Sequence, residues 1–232
     1  MKSANAILST VILVSLLAAG APPSSAQSVF CPVGQPWPGY AADKIEPGAI
    51  TGDGQTFHAL VNPDAGCDCP LGFGMSTLDM FMAIDEATPL PVTITVSMGV
   101  SRAIPDPGGD VPWRPGPPVC ETPVRDFTLY IPKLYVGFGI ALDCECLEMG
   151  HPYFLHYTIH SPLQPPGGLY TTGGGKPEPG RFLTIVDSAW VDMVSAGLLT
   201  RGNLVVSGSA RCCEVPIPSA AESWGGVKAL YR

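Results

Sequence analysis

Apolar and polar residues alternate with a period of two over several short stretches, which predicts β-strands. The cleanest is 92–98 (VTITVSM), where every even position is apolar and every odd one is a small hydroxyl residue. Segment 203–211 alternates similarly. Segment 153–160 sets Tyr153, Leu155, Tyr157 and Ile159 on one face and Phe154, His156, Thr158 and His160 on the other. Segments 127–131, 182–186 and, more weakly, 57–61 are further strands. Segment 133–142 reads as a strand with a bulge or sharp bend at Gly137 and Gly139. Segment 76–87 fits either period: Leu78, Phe81, Met82 and Asp85 at helical spacing, Leu78, Met80, Met82 and Ile84 at strand spacing. Its neighbours are strands, so a strand is expected there too.

Eight or nine short strands separated by turn-rich links predict an all-β, antiparallel, jelly-roll-like β-sandwich. Two stretches read as irregular. Residues 104–123 hold seven prolines and three glycines, which predicts a long loop pinned by Cys120, and 162–179 is similarly broken. Trp190, in an apolar run, is expected in the core.

The amino-terminal 26 residues follow a different pattern. Lys2, a mainly apolar run over 6–19, then Gly20, Pro22, Pro23 and Ser24-Ser25-Ala26 read as a secretory signal peptide. Cleavage after Ala26 leaves a sandwich domain over 27–213 and, over 214–232, a linker and short tail, with no membrane span in the mature chain. The expected location is extracellular or periplasmic.

Composition narrows the class of partner. Of 232 residues 46% are hydrophobic and 14% charged, with 27 Gly and 26 Pro. That excludes a coiled coil and a disordered chain. A formal net charge of −8 argues against nucleic acid.

Eight cysteines, all beyond the leader, predict a disulfide framework in an oxidising compartment: Cys31, Cys67, Cys69, Cys120, Cys144, Cys146, Cys212 and Cys213. Adjacent Cys212 and Cys213 point to opposite faces of an extended segment, so each should reach a different partner. In Cys67-Asp-Cys69 and Cys144-Glu-Cys146 the two sulfurs of a pair stand roughly 6.5–7 Å apart on one face, poor geometry for bridging each other. A four-thiolate zinc site is the competing reading, disfavoured because one intervening residue is too short a knuckle.

Candidate chemistry is sparse, and no cofactor is expected. His151, His156 and His160 invite a metal, but on a strand the last two stand about 13 Å apart. Glu148 and His151 lack the second histidine of a metalloprotease helix, and no nucleophile elbow, Walker loop or dinucleotide fingerprint is present. Acid pairs such as Asp143 with Glu145, or Asp106 with Asp110, leave a secreted hydrolase using an acid and His156 or His160 as one alternative. A structural subunit of an extracellular coat or fibre is another. The favoured expectation is a non-catalytic module that binds a glycan or cell-surface partner through loop aromatics Trp37, Tyr40, Trp113 and Tyr170, whose proline or glycine neighbours hold or expose them.

The Cys67-Asp-Cys-Pro and Cys144-Glu-Cys motifs, Trp190-Val-Asp-Met-Val with Gly202-Asn-Leu, the Cys212-Cys213 pair and the Trp224-Gly-Gly-Val-Lys-Ala-Leu-Tyr-Arg tail are together similar to those of a group of uncharacterised exported bacterial proteins. The resemblance spans about 67–232. It implies a bacterial, extracytoplasmic, disulfide-bonded β-sandwich and supplies no catalytic residue.

Overall fold

The computed structural model describes residues 30–34, 45–62, 68–130, 135–160, 168–199 and 202–213. Residues 1–26, Trp37, Tyr40, Cys67 and the 214–232 segment lie outside these. Among the described residues there are fourteen strands and no helix, hence no helix long and apolar enough to cross a membrane.

The strands form two antiparallel seven-stranded sheets. Layer A has the order β1 (Phe30–Gly34), β14 (Val206–Cys212), β4 (Phe73–Ile84), β10 (Leu169–Gly174), β13 (Asn203–Leu204), with β2 (Ile45–Ile50) also on β10 and β8 (Tyr135–Ala141) also on β4. Layer B has the order β12 (Ala189–Asp192), β11 (Phe182–Val186), β3 (Gln55–Val61), β9 (Tyr153–Ile159), β5 (Val92–Pro105), β6 (Trp113–Glu121), with β7 (Arg125–Leu129) also on β5.

Side-chain alternation explains why the layers stack. Leu78, Met80 and Met82 of β4, Phe138 and Ile140 of β8 and Val206 of β14 share one buried cluster with Phe57 of β3, Ile94, Val96 and Met98 of β5 and Leu155 and Tyr157 of β9. Each such side chain taken fully out of water contributes roughly 1.5–3 kcal/mol. Strand spacing therefore prevails over helical spacing in β4, because Leu78, Met80 and Met82 all have 0% exposure on one face.

Three local expectations are corrected. Residues 104–123 are not one long loop: β5 continues to Pro105 and β6 begins at Trp113. The prolines are tolerated because β6 is an edge strand, with Pro115 opposite Ala103 and Pro118 opposite Ser101, so the missing N–H groups interrupt no second ladder. Within 162–179, residues 169–174 form β10, where Thr172 donates its hydroxyl to the Phe81 carbonyl at 2.7 Å. Strand β8 carries no bulge, pairing with β4 in unbroken register from Tyr135 to Ala141. Its glycines instead leave room for neighbours: a Cβ on Gly137 would stand 2.6 Å from the Phe81 ring, and one on Gly139 2.6 Å from the Asp79 carboxylate.

The disulfides Cys69–Cys212, Cys120–Cys144 and Cys146–Cys213 have Cα separations of 5.0, 5.5 and 6.1 Å. Cys31 is also disulfide-bonded. Cys212 and Cys213 do reach different partners, Cys144-Glu-Cys146 does not close on itself, and pairing leaves these sulfurs unable to form a thiolate cluster. Cys120–Cys144 ties β6 of layer B to the segment following β8 of layer A.

Candidate functional site

The second face of layer B, turned away from the shared core, carries its own small pack. Strand register lines up one row across it: Asp192 opposite Leu183, Leu183 opposite His58, His58 opposite His156, His156 opposite Gly99, and Gly99 opposite Glu121. Alternation alone puts His58 there, since Phe57, Ala59 and Val61 of the same strand face the core.

His156 is buried and held at both nitrogens. Its Nε2 meets Glu121 Oε1 at 3.3 Å and its Nδ1 meets Ser101 Oγ at 3.2 Å. An ionised carboxylate only accepts, so Nε2–H donates to Glu121 and the Ser101 hydroxyl donates to Nδ1. Gly99 makes this arrangement possible: a Cβ there would stand 2.7 Å from His156 Nε2, 2.8 Å from Glu121 Cγ and 2.6 Å from the Cys120 carbonyl oxygen. Gly99→Ala is therefore expected to cost about 1–3 kcal/mol. Urea unfolding checks this, and an unchanged midpoint would mean that the imidazole is not fixed by this contact.

His58 lies between rings. Its centroid is 5.3 Å from His156, 6.0 Å from Phe154 and 5.1 Å from Trp190, the last two edge-on. Burial, reinforced by the neighbouring His156, holds its pKa down to about 3, against an opposing backbone contact with Leu183. Burial also lowers the His156 pKa, opposed by Glu121. His58 Nδ1 is buried without a hydrogen-bond partner.

Ser101, His156 and Glu121 follow the order of a hydrolase triad, but the exposure is inverted. Ser101, whose hydroxyl would attack, is buried at 3% exposure, whereas the Glu121 side chain is 55% exposed. His160 Nε2 instead meets Ser97 Oγ at 2.9 Å, and His151 Nε2 lies 3.5 Å from Glu148 Oε2. The three histidines thus have separate partners. Among the described residues no group of three or more His, Cys, Asp or Glu could hold a metal ion.

Trp113 and Trp190 converge on this face. Both are half-buried and pack against a buried cluster formed by Ala103, Val111, Phe154 and Leu183. Trp190 is thus corrected from the main core to the outer pack, because it stands opposite Ile185, which is itself exposed. Three depressions share walls here, two of them lined by one ring each. One of about 420 Å³ is lined by Trp113 with Leu60, Asn62, Pro112, Gly180 and Arg181. A second, of about 510 Å³, is lined by Trp190 with Asp110, Pro112, Gly180, Asp192 and Ser195. The third shares Leu60, Asn62 and Arg181 with the first but is walled by both layers, with Val33 and Gly34 of β1 and the core residues Ala59 and Phe182 in its lining besides Glu178 and Asn203. Pro112 and Gly180, shared by the first two, make those one groove.

Its polar groups are only partly engaged. Asp192 Oδ2 accepts from the Ser195 backbone N–H at 3.1 Å and from the Ser195 hydroxyl, while Oδ1 is buried and unpartnered. Arg181 pairs with Glu178, and Asn203 Oδ1 accepts the Glu178 backbone N–H at 2.9 Å.

Tyr170 does not join Trp113. It pairs opposite Ala83 on β4, out of phase with Met82 and Leu169 of the shared core, which puts it on the outer face of layer A, against Gly168. Trp37 and Tyr40 lie outside the described residues. Alternation could have placed His58 with His156 on outward faces, but their adjacency depends on non-local register.

No family model and no curated protein matches the chain. Among solved structures, it is similar to the cysteine protease and lectin-like domains of Cwp84, a surface-layer-associated protein of Clostridium difficile, at 8% identity and a TM-score of 0.42, over 74% of this chain and 37% of that one. A likeness at that distance says nothing about function.

Proposed function

We propose that the protein is an exported binding module without catalysis, and that it holds a stretch of neutral cell-surface polysaccharide in the groove on layer B. The observation that carries this reading is the groove itself, with Trp113 and Trp190 along it. Indole faces stack on the C–H faces of pyranose rings, and a fixed ring contributes that contact at little entropic cost. Asn62, Asp110 and Ser195 supply acceptors and donors for sugar hydroxyls. Asp110 and Asp192 add negative charge and Arg181 is paired with Glu178, so an anionic glycan would meet repulsion, which the formal charge of −8 reinforces. Disulfides persist in an oxidising compartment, which supports export along with the leader-like first 26 residues.

Cosedimentation with insoluble neutral polysaccharides tests the proposal. Trp113→Ala is expected to weaken retention about 30-fold or more, the effect of truncating a central aromatic anchor. Retention of the variant equal to wild type, or preference for a polyuronic acid over a neutral chain, would sink it.

A further inference from the structure

The groove stands on groups that titrate. Trp190, which lines it, rests edge-on against His58 at 5.1 Å. His58 in turn faces His156 from β9 at 5.3 Å and Phe154 at 6.0 Å, with Leu183 beside it on β11. Glu121 of β6 and Ser101 of β5 face His156. Asp192 of β12 is the other acid of the row. It stands two strands from His58 beyond Leu183, about 9–10 Å by strand spacing, with one oxygen on Ser195. No carboxylate touches His58 among the described residues.

We propose that the His58–His156 pair is an acid-operated latch on the groove: protonation of the pair loosens the outer pack beneath Trp190, and the groove releases its ligand. The release, as distinct from the loosening, rests on the groove being the binding site.

The two histidines differ in what a proton would meet. On His156 it would be offset by Glu121, which already accepts from Nε2. On His58 it would meet a charged imidazole at ring contact, three apolar neighbours and no acid. In an opened face both rings reach water and protonate as ordinary imidazoles near pH 6.5. The burial that holds His58 down to about 3 acts in the closed form alone, so acid favours the open form. Each extra proton bound by the open form raises the ratio of open to closed tenfold per pH unit, and two raise it a hundredfold.

Amide hydrogen exchange on the full, disulfide-intact chain tests the loosening without any ligand. After correction for intrinsic exchange rates, protection at Phe154, Leu183 and Trp190 is expected to fall by 10- to 100-fold per pH unit below about pH 6. Protection at Leu78 and Met80 in β4 should hold. His58→Phe keeps a ring in place and removes one titrating group, so it should flatten the fall to tenfold per unit or less; His58→Leu serves if the phenylalanine variant does not fold. Protection that ignores pH, a fall in His58→Phe as steep as in wild type, or loss in β4 at the same pH would overturn the latch. Polysaccharide retention at pH 7 and pH 5 tests release: wild type should let go at pH 5 while His58→Phe holds. Undiminished wild-type retention at pH 5 would overturn release, and no retention at either pH would instead overturn the binding site, leaving exchange to judge the latch.

Discussion

Replacing both Cys69 and Cys212 by alanine is expected to lower the melting temperature by on the order of 10 °C. The two residues are 143 positions apart, and their bond fastens the turn before β4 to the end of β14. The neighbouring Cys146–Cys213 bond already closes part of that span. The Cys120–Cys144 bond shortens it further, so the loop that Cys69–Cys212 adds to the unfolded chain is roughly 55 residues, along 69–120, across to 144–146 and back across to 212, worth about 4 kcal/mol of denatured-state entropy. In a domain of this size each kcal/mol moves the midpoint by about 2–4 °C. Removing Cys120 and Cys144 together should cost somewhat less, about 3 kcal/mol, since they enclose a separation of only 24. That bond crosses between layers, so its loss should also raise exchange along β6. Calorimetry on the paired variants checks both, and an unshifted midpoint for Cys69→Ala with Cys212→Ala would mean that this bond does not constrain the fold.

Acid is the second strong perturbation. His58 binds its proton at about pH 3 in the folded protein and near 6.5 when unfolded. Between those values the unfolded chain holds the extra proton, so stability is full above about pH 6.5 and declines as pH falls toward 3. At pH 5 the loss from His58 alone is about 2 kcal/mol. His156, whose pKa is also lowered by burial, acts in the same direction. The loss stops growing once the outer face opens locally, since the opened rings titrate like unfolded ones. Urea unfolding at pH 7 and pH 5 reads the difference, and His58→Phe should remove about 2 kcal/mol of it. An identical pH dependence in wild type and variant would place that ring in water.

Much of the fold is legible along the chain. Stretch 92–98 reveals its pairing face because small hydroxyls alternate strictly with Ile94, Val96 and Met98, and 182–186 coincides with β11. Strand β6 is hidden because Pro115, Pro117 and Pro118 mimic a loop, and only its position at the sheet edge makes them harmless. The cysteines show by local geometry which bonds cannot form, but partners 143 residues apart are set by the path of the whole chain.

The site is less legible than the fold. Trp113 is recognisable as a proline-flanked ring, while its companion Trp190 looks like core because Ala189 and Val191 surround it. That Tyr170 belongs to the other layer follows from β10 pairing with β4, a fact of topology rather than of local pattern. His58 carries no signal of its own. It becomes informative only when β3 and β9 align and bring it beside His156.

The most direct measurement is amide chemical-shift mapping while a soluble neutral oligosaccharide is titrated into the folded chain. Binding at the layer B groove predicts saturable shifts at Leu60, Asn62, Trp113, Arg181 and Trp190, with Phe81, Tyr135 and Tyr170 of layer A unmoved. Shifts gathered around Tyr170 and Phe81, with the two tryptophans silent, would contradict it and put the contact surface on the opposite side of the sandwich.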